Sequence, residues 1–180
     1  GEAVEAYYFS TSAGVTSTDE IWGSDEAAPY LRSVPCKFDE EEPWSSWIVE
    51  LPWKMLEDRI REKGEGTVLR SVTVTRRSES GAATALEAVS DKDSCIIENE
   101  YEIRKFLAPV NCMITEKDGT ETAGGSLLPS AYFELERTQN GNLQVRGKGY
   151  GHGVGMSQTG ADKMAEQGYC LLYTSDAADD

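Results

Sequence analysis

Residues 147–161 read GKGYGHGVGMSQTGA and place a glycine at every second position from Gly147 to Gly155. The stretch also holds the only histidine of the chain, His152, and then Met156, Ser157 and Gln158 before a helix-like run, ADKMAEQG, at 161–168. Glycine gives up more conformational freedom on folding than any other residue, so a core has no use for five of them in nine positions. Two uses fit: a surface that admits a ligand, or one that lets another piece of backbone lie close. No G-x-G-x-x-G can be placed on these glycines and no G-K-[ST] follows them, which excludes the dinucleotide fingerprint and the P-loop. A plain Gly-rich crossover from a strand (LQVRG, 143–147) into a helix remains open. A helix starting near Ser157 would aim free N–H groups at an anion or a sugar hydroxyl. A phosphate cradle is disfavoured by the acidic balance and by the lack of a nearby lysine motif.

Working outward, residues 127–137 and 143–147 predict a hairpin closed by 139–142 that feeds directly into the glycines. Residues 3–9 predict a strand. Residues 10–16 are a polar loop whose hydroxyls (Ser10, Thr11, Ser12, Thr16) satisfy their own turn or line a groove. Residues 21–34 predict irregular packing with short helical pieces, and 38–43 an acidic, solvent-exposed loop containing DEEEP. Trp47, Val49 and Leu51 alternate with Ile48 and Glu50 as a strand. Trp53, Leu56 and Ile60 give an amphipathic helix over 52–63, ended by Gly64 and Gly66. Strands follow at 68–76 and 83–89 around a turn at 78–81. Asn99 opens a helix with Glu102 placed for a capping box, and Ile103, Phe106 and Leu107 form its apolar face. Residues 110–115 predict a strand and 117–125 a polar loop. The sum is a single α+β domain dominated by antiparallel strands, with about three helices.

The chain has 180 residues, 32 acidic and 17 basic, a net charge of −15. That balance makes the domain a poor candidate for nucleic acid or anionic lipid, whose binding needs basic patches, and no nucleic acid partner is expected. No run of about 18 apolar residues is present. Cys36, Cys95 and Cys112 have no C-x-x-C spacing, and with one histidine no metal site is expected. Residues 170–180, CLLYTSDAADD, lose all period after Tyr173 and back-translate into a string resembling the adaptor of transposon-based sequencing libraries. The expectation is a read-through tail at 170–180, with the natural protein diverging near Cys170. Removing its three aspartates leaves 29 acidic against 17 basic residues, a net −12.

GYGHGVGMSQTGADKMAEQG (149–168) resembles the signature of the stage II sporulation protein D family, which includes the amidase-enhancer (LytB-like) proteins. YYFSTSAGVT at 7–16 resembles that family's Ser/Thr-Gly segment, PYL at 29–31 follows at a suitable distance, and SLLPSAYFELE at 126–136 resembles the segment before its last hairpin. The resemblance implies a peptidoglycan-processing domain over 1–169, truncated at its N-terminus. Such a domain would be a lytic transglycosylase cutting denuded glycan strands to 1,6-anhydro-muramic acid ends, or a non-catalytic module that activates a cell-wall amidase.

The glutamate proposed as acid in that family lies upstream of the Ser/Thr loop, so no catalytic residue is assigned here, and the chain is expected to be inactive alone. By motif, the glycan-binding residues are Ser10, Thr11, Ser12, Gly14 and Thr16 with Gly151, His152, Gly153, Gly155, Met156, Ser157 and Gln158. His152 either meets the glycan or props the loop through a backbone carbonyl. Ala13 and Val15 stand where some members carry zinc ligands, and no cofactor is implied. The expected place of action is outside the cytoplasmic membrane, at the cell wall, with membrane attachment only through an N-terminal anchor.

Overall fold

The computed structural model describes residues 4–24 and 27–169. Residues 170–180, and with them the read-through expectation, lie outside the described residues, as does Ala3 of the expected first strand. In chain order the elements are β1 (Tyr8–Phe9), β2 (Trp47–Leu51), α1 (Trp53–Glu62), β3 (Leu69–Arg77), β4 (Ala83–Ser90), β5 (Ser94–Glu98) and α2 (Glu100–Phe106). They continue with β6 (Met113–Glu116), β7 (Glu121–Ala123), β8 (Phe133–Arg137), β9 (Leu143–Gly147), β10 (Met156–Ser157) and α3 (Gln158–Glu166). This is the α+β architecture expected. A five-stranded antiparallel sheet has the order β7-β6-β2-β9-β8, a three-stranded one β3-β4-β5, and β1 pairs with β10 alone.

The central strand β2 carries the period-two pattern that puts it there: Trp47, Val49 and Leu51 face inward while Ile48 and Glu50 face out. Its inner face packs with Leu56 and Ile60 of α1, Leu86 of β4, Ile103 and Leu107 around α2, and Val145 of β9. Each fully buried leucine or isoleucine of this core stabilises the fold by roughly 1.5–3 kcal/mol relative to exposure. A second, smaller core joins Ile21, Leu31, Ala82, Ala131, Tyr132 and Val154, with Tyr7 and Trp22 packed on it. The glycine stretch lies over this second core.

Several boundaries differ from those the sequence predicts. The polar loop at 117–125 is instead a hairpin: Asp118 and Gly119 turn the chain, and β7 pairs back on β6. Its three residues carry no apolar alternation and lie at a sheet edge, so periodicity does not mark them. The edge strand β5 buries only Ile97 and escapes for the same reason. Residue 110 opens no strand, because Asn111 takes a left-handed conformation at φ 59° and pairing begins at Met113. Residues 127–132 belong to no strand. Arg104 holds them, its guanidinium donating to the carbonyls of Leu128 (2.8 Å) and Pro129 (3.1 Å) while its charge meets buried Glu100 at 2.5 Å. The capping box is one-sided: the Asn99 side chain accepts from the Glu102 N–H at 3.0 Å, but the Asn99 N–H goes to the Thr84 carbonyl.

Gly147 faces Trp47 across the β2–β9 ladder. A methyl group there would sit 2.0 Å from Trp47 Cζ2, and the indole is held by its Nε1–H donating to the Gly149 carbonyl at 2.8 Å. Gly147→Ala should therefore cost about 3 kcal/mol, the upper end of core overpacking. Urea denaturation measures this; a loss below about 0.5 kcal/mol would mean that Trp47 can shift aside.

Candidate functional site

The glycine stretch meets the first described residues of the chain. β1 runs parallel to β10, with Tyr8 opposite Met156 and Phe9 opposite Ser157. Thr11 and Tyr150 exchange backbone hydrogen bonds of 3.1 and 2.8 Å, and Ser17 N–H donates to the Gly153 carbonyl at 2.7 Å. At Gly155, with φ +83°, an added Cβ would lie 2.2 Å from the Tyr7 carbonyl oxygen. Of the two uses open to the glycines, the structure employs close backbone approach: residues 7–17 are zipped onto 149–156.

One carboxylate ties this zipper together. The sequence predicts 38–43 as solvent-exposed, and Glu40 and Glu41 are, but Asp39 is only 1% exposed. Donors from separate segments turn it inward. Asp39 accepts from the Ser12 N–H (2.7 Å), the Ser12 hydroxyl (2.7 Å) and the Ser157 hydroxyl (2.6 Å), with Thr159 Oγ1 at 3.4 Å. Ser157 in turn caps α3, its Oγ accepting from the Gly160 N–H at 3.2 Å. The Thr159 N–H donates to the Ser10 carbonyl at 3.0 Å. These two amides at the start of α3 are thus engaged by the protein itself, contrary to the expectation that they face a ligand.

The motif residues separate into two groups. Thr16, Gly155, Met156 and Ser157 line a cleft of about 1040 Å³ between residues 29–38 and α3. Ser10, Thr11, Ser12, Gly14, Gly151, Gly153, His152 and the exposed Gln158 are not among its walls. Thr11 and Ser12 are buried, and Thr16 has its hydroxyl on the Arg32 carbonyl (3.2 Å) and on the Val34 N–H (3.0 Å). His152 packs against Trp22 and Phe9, ring centroids 5.2 and 6.0 Å away, and its Nδ1 accepts from the Val154 N–H at 3.1 Å. That bond ties the ring to a backbone amide and requires the neutral ring, and the Tyr8 backbone is a further hydrogen-bond partner of the imidazole. Burial holds the imidazole below its ordinary 6.5.

Sequence reasoning missed three contributors: Asp39, the Glu100–Arg104 pair, and the aromatic walls of the cleft. The first carried no signal beyond an acidic run. The second was visible as Glu and Arg at i and i+4. The walls come from Tyr30, Phe38, Met164 and Tyr169, with the Phe38 and Tyr169 rings edge-on at 5.3 Å. Arg32 is the one charged side chain among the described residues lining this cleft. It also borders a neighbouring cleft of about 620 Å³ that reaches Glu79 and Ser80. Cys36, Cys95 and Cys112 are free thiols, and burial pushes Cys36 up. Among the described residues, no group of three or more His, Cys, Asp or Glu side chains could hold a metal ion.

The chain is similar in sequence to known proteins. The chain belongs to the family described as a domain of unknown function (DUF8618), whose model matches residues 36–155, and with its curated relatives to the stage II sporulation protein D family. It is 32% identical to stage II sporulation protein D of Bacillus amyloliquefaciens, over 92% of this chain and 40% of that protein. It is 29% identical to the Bacillus subtilis protein of that name, over 93% and 41%. The amidase enhancer of Bacillus subtilis is 21% identical over 93% of this chain and 28% of that protein. The chain thus spans about two fifths of the length of the sporulation relatives it matches. Among the described residues, no helix is long and apolar enough to cross a membrane.

Two outcomes follow from the geometry. Asp39→Ala takes the acceptor from three buried donors, of which the two hydroxyls keep longer bonds to the Cys36 and Ser10 carbonyls, and an unsatisfied buried donor costs roughly 1–3 kcal/mol, so the domain should lose about 3 kcal/mol. Chemical denaturation tests this, with a loss under about 1 kcal/mol as the contrary result. For His152 the folded state sheds a proton that the unfolded chain binds. Its contribution is therefore in place above pH 6.5 and is lost as pH falls through 6.5 and then through the lower folded value. Because the chain has a single histidine, its NMR titration needs no assignment; a midpoint at or above 6.5 would refute the buried, accepting ring.

Proposed function

We propose that this domain binds denuded peptidoglycan glycan strands in the cleft between residues 29–38 and α3, as part of a lytic transglycosylase acting outside the cytoplasmic membrane in sporulation or cell-wall remodelling. The observation that carries the reading is the cleft itself. Its walls are aromatic and apolar, suited to the faces of sugar rings, and the motif residues Gly155, Met156 and Ser157 form one side of it. The relatives' names support the cell-wall setting.

Transglycosylation needs one carboxylic acid to protonate the leaving oxygen and then take the proton of the muramic acid 6-hydroxyl as the 1,6-anhydro ring closes. Such an acid must have its pKa raised by burial or an apolar wall. Asp39 is unsuited, because its carboxylate is buried, engaged by Ser12 and Ser157, and not among the described residues lining the cleft. The resemblance puts the acid upstream of the Ser/Thr loop, so the role proposed for these residues is to seat and orient the strand. A cell-wall amidase is the proposed protein partner, on the strength of the amidase enhancer's name.

The test is mass spectrometry of products from denuded strands, run with this chain and with a chimera that carries the preceding segment of Bacillus subtilis stage II sporulation protein D ahead of Tyr7. The expected result is binding by both and anhydro-ended products from the chimera alone. Cleavage by this chain itself would place the acid within the 180 residues. Binding with stimulation of an amidase and no cleavage by either would favour the accessory module, and binding by neither would overturn the glycan reading.

A further inference from the structure

The cleft is electrostatically unlike the rest of the molecule. The chain carries 32 acidic residues, yet no aspartate or glutamate is among the described residues lining the cleft, and the single charge there is Arg32. Arg32 is exposed, and it stands where the larger cleft and its neighbour share a wall. Its Nε–H donates to the Pro29 carbonyl at 3.3 Å, and no carboxylate among the described residues pairs with its two terminal nitrogens. A planar, permanently charged fork matches a carboxylate in a two-point contact. Beside it the ring of Tyr30 and the pyrrolidine of Pro29 line the same cleft and provide an apolar platform.

We infer that Arg32 is a specificity residue of this cleft, its guanidinium pairing with the free lactyl carboxylate that muramic acid carries on a denuded strand. This rests on the glycan reading above and deepens it. On an intact strand that carboxylate is tied up in an amide bond to the peptide: its charge is gone, and a bulky chain stands where the guanidinium would meet it. Removal of the peptide restores the anion. Arg32 thus places a positive charge in a cleft whose described lining carries no carboxylate.

The test uses this 180-residue chain, with binding by isothermal titration calorimetry to denuded oligosaccharides of defined length and to the same oligosaccharides with the lactyl carboxylate reduced to the alcohol. Wild type should favour the carboxylate form by about fivefold at low salt, a preference that shrinks as salt screens the pair. Arg32→Met should bring the ratio of the two affinities to about one, and Arg32→Lys, which keeps the charge and loses the fork, should retain part of it. Thermal denaturation of each variant, expected to match wild type because the side chain is exposed, separates lost recognition from lost folding. Equal affinity of wild type for both ligands, or a preference that survives in Arg32→Met, would overturn the role of Arg32 and leave the glycan reading standing. Binding of neither ligand by wild type would overturn both.

Discussion

A carboxylate withdrawn from water and surrounded only by donors holds this domain's site together. Asp39 lies in a run of four acidic residues whose neighbours face solvent, yet it is covered by Ser12, Ser157 and Thr159. A buried charge is tolerated only where hydrogen bonds replace its hydration, and here they come from the Ser/Thr loop and from the first turn of α3 together. If either segment is moved away, the charge loses half of its shell. The interaction therefore acts as a joint: it sets the distance between the loop and the helix, and so the width of the cleft that the helix borders.

Around that joint the glycines and Arg104 do complementary work. The glycines remove side chains where two stretches of backbone must touch, and the zipper of amide bonds between 7–17 and 149–156 fills the space they leave. Arg104, paired to Glu100 and bonded to two carbonyls, fixes residues 128–129, and the Pro129 carbonyl accepts from the Gly151 N–H at 2.8 Å. The chain from α2 through this segment to the glycine stretch is thus one continuous set of hydrogen bonds. His152 completes it from the other side, wedged against Trp22 with a neutral ring.

Much of this was legible beforehand. The alternation in β2, the three-four spacing in α1 and the Asn99 cap each rest on local geometry, and all were read correctly from neighbours in sequence. The short edge strands β5 and β7 were not, because they bury almost nothing and are specified by their partners. The site divides in the same way. The glycine stretch and the Ser/Thr loop stand out by composition, whereas Asp39 is one of 32 acids and only the tertiary fold separates it from Glu40 and Glu41. Thr16 illustrates the limit: a hydroxyl in a motif is found engaged with the backbone of residues 32 and 34, a role that composition cannot distinguish from ligand contact.

The β1–β10 pairing has a consequence for how the molecule comes into being. Its partners lie on the order of 150 residues apart, and parallel pairing of such distant segments must first overcome the entropy of closing the loop between them. The three-stranded sheet is built of hairpins alone, whereas in the five-stranded sheet the central strand β2 also pairs with the distant β6 and β9. The cleft is then a late product of folding, absent from every intermediate in which the first and last segments have not met. A chain clipped before α3 lacks the helix that forms one wall of the cleft.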